Sequence, residues 1–194
     1  MDTIDANARD RADMERLIAG RDAALNDLME RHATPVFHFL CRMVGNEDDA
    51  NDLAQETFVR VFRARASFRT SEKFSTWLYT IAANLARNHF RWRSRHPNVS
   101  LDTETGETEQ TFGSTLPAND PAPNEQALTA ERAEAVRTAV SKLPEDLREA
   151  IVLCEWEERT VAEAAAILEA TPKAVESRLY RARQILRERL KQWL

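Results

Sequence analysis

Between Lys173 and Gln184 the chain sets hydrogen-bond donors at helical spacing. At about 100° per residue, Lys173, Ser177, Tyr180, Arg181 and Gln184 share one face, with Arg178 and Arg187 at its margins. Such side chains donate to phosphate oxygens and to base edges, which suits contact with duplex DNA. The opposite stripe, Val175, Leu179, Ala182, Leu186, Leu190 and Trp193, is apolar. A plain amphipathic helix with a solvated basic face has the same pattern. The upstream layout favours DNA. Thr160 and Glu163 fit a capping box, and Thr171-Pro172 repeats a helix start after the turn-sized Glu169-Ala170. A short helix, a tight turn and a longer helix make a helix-turn-helix reader.

A second chemically capable set lies between Phe68 and Arg95. Rings alternate with cations and amides: Phe68, Arg69, Lys73, Phe74, Trp77, Tyr79, Asn84, Arg87, Asn88, Phe90, Arg91, Trp92 and Arg95. Rings stack on unpaired bases while cations hold the backbone, the pairing that single-stranded nucleic acid needs. Trp77, Leu78, Ile81 and Leu85 have core spacing, so part of this block is predicted to be buried. Burial alone does not explain Arg87, Asn88, Arg91 and Arg95 recurring on one side.

These groups need helices to hold them. Apolar residues make up 43%, and only 4 glycines and 2 tyrosines argue against a turn-rich β protein. The expectation is an all-α fold of two small helical domains, at about 10–95 and 126–194, joined by a flexible acidic linker across 96–125. Asp22–His32 and Pro35–Val44 read as helical, with Pro35 either opening a second helix or kinking a continuous one. Asn46 caps the next helix, whose first turn holds Glu47, Asp48 and Asp49. Its buried stripe is Ala50, Leu53, Ala54, Thr57, Phe58, Val61 and Phe62. The other face, Asp52, Gln55, Glu56, Val59 and Arg63, reads on its own as solvated surface.

Charge follows the same division. The net charge of −5 is unusual for a nucleic-acid binder, but residues 96–130 hold 6 acidic and no basic residues, while 131–194 hold 12 of each. Local basic patches, not overall charge, make the footprint that phosphates feel. The linker also carries Pro97, Pro117, Pro121, Pro123, Gly106 and Gly113, and cannot bury enough surface to offset its ordering entropy.

Other chemistries find no support. Cys41 and Cys154 are too far apart for a Cys-x-x-Cys site and read as buried free thiols. His32, His38, His89 and His96 lack carboxylates or cysteines at ligand spacing, so no metal, cofactor or enzyme is expected. The polar, acidic N-terminus is unlike a secretory signal. No apolar run approaches the ~20 residues of a membrane helix, so no membrane insertion is expected and a cytoplasmic protein is predicted.

The segments DLAQETFVRVFRARASF, FSTWLYTIAANLARNHFRWRSR, LPEDLREAIVL and ESRLYRAR stand in the order found in group 4 (extracytoplasmic-function, RpoE-like) sigma factors of the sigma-70 family, which the chain resembles over nearly its whole length outside the linker. The resemblance implies a region 2 domain, a variable linker and a region 4 domain. It implies docking of Asp52, Gln55, Glu56 and Val59 on the clamp coiled coil of the polymerase β′ subunit, with region 4 near the β flap. It implies −10 melting and base capture by Phe68, Arg69, Lys73, Trp77, Asn84, Arg87, Asn88 and Arg91. It places Lys173, Glu176, Ser177, Arg178, Tyr180 and Arg181 at the −35 element. It also implies an anti-sigma partner, often membrane-bound. Catalysis would stay with the polymerase.

Two residues depart from the family pattern. Glu176 stands where Lys or Arg is usual; a carboxylate there repels phosphate or accepts from a cytosine amine. Glu169 stands in the turn where Gly, Asp or Asn is usual, and a positive φ there would cost roughly 1 kcal/mol. Two other readings are a dimeric helix-turn-helix regulator and a protein-interaction module, and no effector pocket or dimerisation helix is visible for the first.

Overall fold

The computed structural model describes residues 3–96 and 123–193, and side chains from 6–96 and 130–193. The described residues hold eight α-helices and no strand. They are α1 (Thr3–Ile18), α2 (Ala24–Val44), α3 (Glu47–Ala64), α4 (Phe74–Arg95), α5 (Pro123–Ser141), α6 (Glu145–Glu155), α7 (Val161–Ile167) and α8 (Pro172–Arg189), with short 3-10 turns at Arg65–Ser67 and Lys191–Trp193. The fold is all-α. α1 begins ahead of residue 10 and α5 ahead of residue 126. Most of the expected linker, 97–122, lies outside the described residues.

Local chemistry sets the helix ends. Gly45 closes α2 in the left-handed region (φ 75°), donating to the Cys41 carbonyl. Asn46 then caps α3 by accepting the Asp49 N–H at 2.8 Å, and Glu47, Asp48 and Asp49 complement the helix dipole. Of the two possibilities for Pro35, α2 runs continuously through it. An interior proline costs about 3 kcal/mol. Leu28, Val36, Phe39, Leu40 and Met43, all fully buried on that helix, outweigh it at roughly 1.5–3 kcal/mol each.

α1 to α4 pack around Met14, Leu17, Phe39, Leu40, Phe58, Val61, Phe74, Leu78 and Tyr79. The expected α3 stripe is inside, with Leu53 and Phe62 half-buried. An ionic network clamps α1 to α2. Buried Asp10 takes Arg31 Nε at 3.0 Å and faces His32 Nε2 at 2.9 Å, while Asp13 pairs with Arg16 and Arg31. Burial pushes the Asp13 carboxyl up, but the two guanidiniums win and hold it below its ordinary value. The cysteines are free but half-buried rather than buried. Each sits at a helix flank where neighbouring side chains cover only part of it. Burial, helped by Glu47, pushes the Cys41 thiol up to about 11.

The second domain packs α6, α7 and α8 around Leu147, Ile151, Leu153, Ala164, Ile167, Val175, Leu179 and Ala182. The capping box at α7 is complete: Glu163 N–H donates to Thr160 Oγ1 at 3.2 Å, and Thr160 N–H donates to Glu163 Oε2 at 3.0 Å. α7 ends with Ala170 N–H on the Ala165 carbonyl and Glu169 N–H on that of Ala166. That pattern puts Glu169 in the left-handed position usually held by glycine, and its φ is 52°. Thr171 restarts the chain, accepting the Ala174 N–H at 3.2 Å, with Pro172 in the first turn of α8.

Candidate nucleic-acid interface

α8 presents its donors as its register requires. Val175, Leu179 and Ala182 are buried, Leu186, Leu190 and Trp193 are half-buried, and Lys173, Glu176, Ser177, Tyr180 and Arg181 are exposed. Tyr180 keeps 65% of its surface. Arg178 is half-buried, and Asp146 at the start of α6 lies 3.7 Å from Arg178 Nε and 3.9 Å from Arg181 Nη2. That carboxylate leans two guanidiniums toward the helix start. The face holds one exposed carboxylate, Glu176, among donors.

The expected −10 residues divide into three groups. Phe68 is 6% exposed, and its ring lies 5.2 Å from Trp77 and 6.1 Å from Phe74. It anchors the loop from beneath, so its ring is not presented to a base. Composition could not show this, because a phenylalanine suits a core as well as a stacking platform. Arg69, Lys73, Asn88 and Arg91 are exposed, while Trp77, Asn84 and Arg87 are half-buried. Arg87 Nη1 donates to Asn84 Oδ1 at 2.9 Å, joining two of the expected residues.

Sequence reading missed the partners of this face. Arg87 Nε donates to Glu149 Oε1 of α6 at 2.6 Å, and Lys73 Nζ to Glu163 Oε1 of α7 at 2.7 Å. Tyr79 donates to Glu157 Oε2 at 2.5 Å, and Arg42 reaches the same carboxylate at 3.4 Å. Arg159 sits 4.5 Å over the Tyr79 ring and donates to Ser75 Oγ at 3.1 Å. Arg148 bonds the Met43 carbonyl at 2.6 Å and lies 5.3 Å over Phe90. The second domain therefore sits on α2 and α4 of the first.

Electrostatics differ between these contacts. Glu149 is 4% exposed; burial pushes its carboxyl up, against the pull of Arg87. Partial burial also pushes Glu163 up, but Lys73 and the Thr160 cap overcome it and hold the carboxyl at about 2. Burial pushes the Tyr79 hydroxyl up, as does Glu157. Arg87 Nη2, Arg148 Nε and Arg159 Nε are buried without a hydrogen-bond partner, and an unsatisfied buried donor costs about 1–3 kcal/mol.

On α3, Asp52, Gln55 and Val59 are exposed and Glu56 is half-buried, paired with Arg60 at 2.9 Å. Val59, 39% exposed, is an apolar centre in a polar patch. Among the described residues no group of three or more His, Cys, Asp or Glu side chains could hold a metal ion. No described helix is long and apolar enough to cross a membrane.

Residues 28–96 match Sigma-70 region 2, and residues 133–186 match Sigma-70, region 4. The chain is 34% identical over 173 residues to the ECF RNA polymerase sigma factor SigW of Bacillus subtilis, covering 89% of this chain and 91% of that one. The chain belongs to the ECF sigma factors. The ECF sigma-E factor of Escherichia coli is also 34% identical, over 89% of this chain and 90% of its own. Among solved structures, CnrH in complex with the cytosolic domain of CnrY superposes at a TM-score of 0.69 with 27% identity, covering 95% of this sigma factor and 98% of CnrH. Sigma factor RpoE of Bartonella quintana, in complex with the anti-sigma factor NepR, gives 0.64 with 26% identity, over 86% and 96% of the two chains. In this sigma factor, region 2 spans α2 to α4 and region 4 runs from within α5 into α8.

Proposed function

We propose that this sigma factor binds core RNA polymerase and directs it to two-element promoters, with the −10 element melted on α4 and the −35 element read by α8. The observation that carries this reading is the split of donors between two domains: an aromatic and cationic helix in region 2, and an exposed donor face on the second helix of a helix-turn-helix in region 4. The first chemistry suits unpaired bases and the second a major groove. Extruding a base costs a few kcal/mol of stacking and pairing. On α4, Trp77 and the bonded Asn84–Arg87 pair offer the offsetting contacts, and Arg69, Lys73, Asn88 and Arg91 track the strand. Phe68 holds that loop in place.

Lys173, Ser177, Arg178, Tyr180 and Arg181 face the −35 duplex, and Glu176 selects among bases there by accepting from an exocyclic amine. The α3 patch around Val59, with Asp52, Gln55 and Glu56, docks on the β′ clamp coiled coil, and region 4 meets the β flap. An anti-sigma partner is supported by the relatives solved in complex with one. Gel filtration with purified core polymerase tests the reading: a 1:1 complex that supports promoter-dependent run-off transcription is expected. Failure to bind core at low salt would overturn it.

A further inference from the structure

The loop that carries Arg69 and Lys73 hangs between two buried rings. Residues 69–73 are exposed, while Phe68 before them is 6% exposed and Phe74 after them 2%. Lys73 gives α4 no side-chain cap, so the start of that helix is set by where Phe74 packs. Phe68 and Trp77 lie against the Phe74 ring at 6.1 and 6.2 Å. The His32 ring of α2 meets it edge-on at 5.2 Å and 61°. His32 is itself held from α1. Its Nε2 lies 2.9 Å from Asp10 Oδ2, and since a carboxylate only accepts, Nε2 carries the hydrogen. We propose that Asp10 and His32 are positioning residues for −10 melting: Asp10 fixes the His32 ring, the ring seats Phe74, and Phe74 sets the loop and Trp77 against the strand. This role rests on the −10 assignment of α4 and its loop.

α1 lies ahead of the residues that match Sigma-70 region 2, which begin at 28. It nevertheless packs on both sides of the loop, against the 3-10 turn Arg65–Ser67 that leads in and against α4 that leads out. Adhesion between α1 and α2 does not need the ions. Met14 and Leu17 of α1 are fully buried, and well-packed apolar groups often hold as well as a buried ion pair. What the ionic network adds is direction, because a hydrogen bond fixes an angle as well as a distance. The network has two halves joined by Arg31. Outward, Asp13 pairs with Arg31 and Arg16, and Arg16 also reaches Asp27 at 2.6 Å. Inward, Asp10, 3% exposed, takes Arg31 Nε at 3.0 Å with one oxygen and His32 with the other. It is the inward half that meets a ring beside the −10 loop.

Full-length variants assembled with core polymerase test this. His32→Gln keeps an amide donor for Asp10 but offers Phe74 no ring, and Asp10→Ala leaves the ring unheld. Arg16→Gln breaks the outward half alone and serves as the control. A 2-aminopurine in the −10 element of a duplex promoter reads opening, and run-off from a template with the −10 bases pre-melted reads the remaining steps. Both inward variants are expected to open the duplex about tenfold more slowly than the parent chain and to stay within about twofold of it on the pre-melted template. Arg16→Gln should match the parent on both. Asp10→Ala/His32→Phe, which seats an apolar ring on Phe74 without the carboxylate, should recover most of the opening rate. Parent-like opening by both inward variants while Asn84→Ala is slow would overturn the proposal. An equal deficit on both templates, or a loss of core binding in gel filtration, would also overturn it, because damage to region 2 as a whole would then suffice. Equal slowing by Arg16→Gln would overturn it too, since any loosening of α1 would have the same effect. If Asn84→Ala also opens the duplex like the parent, the −10 assignment itself falls.

Discussion

The two surfaces proposed to read DNA in this sigma factor are built on opposite plans. On α8 the donors stand on a helix whose buried stripe supplies all the packing, so Lys173, Ser177, Tyr180 and Arg181 reach solvent without carrying the fold. On the Phe68–Arg91 face, core and surface are interleaved. Phe68 is inside, Trp77, Asn84 and Arg87 are half inside, and two cations are held by carboxylates of the other domain. A duplex offers its base edges ready made, so its reader can be a rigid exposed helix. A melted strand must be stabilised after unstacking, which calls for half-buried rings and polar groups.

The sharpest break of this contrast is a pair of aromatic truncations. Phe68→Ala should lower stability by about 3–5 kcal/mol in denaturant unfolding, the usual result for a buried ring. Tyr180→Ala should stay within about 0.5 kcal/mol, as expected of an exposed position. Similar midpoints for the two would mean that at least one of the burial assignments fails. Arg181→Ala should weaken −35 duplex binding by about 1–3 kcal/mol, with a shallower salt dependence if its partner is a phosphate. Titration of a labelled duplex at two salt concentrations reads both effects.

Smaller effects probe the frame under α8. Thr160→Ala removes half of the capping box and should cost about 1 kcal/mol, visible as faster amide exchange at the start of α7. Glu163 carries a pH signature. Its carboxyl is depressed from 4.5 to about 2, so its contribution is complete above about 4.5 and lost as pH falls through about 2. Acid unfolding of Glu163→Gln should therefore show a flatter slope across that window than the parent chain. Glu169→Gly should relieve the left-handed backbone at φ 52° and stabilise by at most about 1 kcal/mol in thermal unfolding. A loss of stability there would show that the carboxylate does something the turn needs.

Features governed by neighbours in sequence were legible before the structure. The Asn46 cap, the Thr160–Glu163 box and the Thr171 restart depend on residues three positions apart, and the buried stripes of α3 and α8 on a spacing repeated from one turn to the next. Burial of Phe68 was not legible, because residue type alone does not say on which side of a loop a ring lies. Asp10 and Asp13 were likewise hidden, since only the fold brings Arg31 and His32 to them. The polar and ring contacts described between the two domains join residues 58 to 115 positions apart, and no local pattern reports such pairs. Sequence thus singled out both candidate surfaces, and only the fold shows that carboxylates of the second domain bind two cations of one of them.

The division of labour itself is open to one direct measurement: run-off transcription by the reconstituted holoenzyme from a matched pair of templates, one fully duplex and one with the −10 bases pre-melted. Asn84→Ala should be impaired on the duplex and recover most of its activity on the pre-melted template. Arg181→Ala should be impaired on both. Equal recovery of the two variants, or recovery of neither, would contradict a sigma factor that melts with region 2 and reads duplex with region 4.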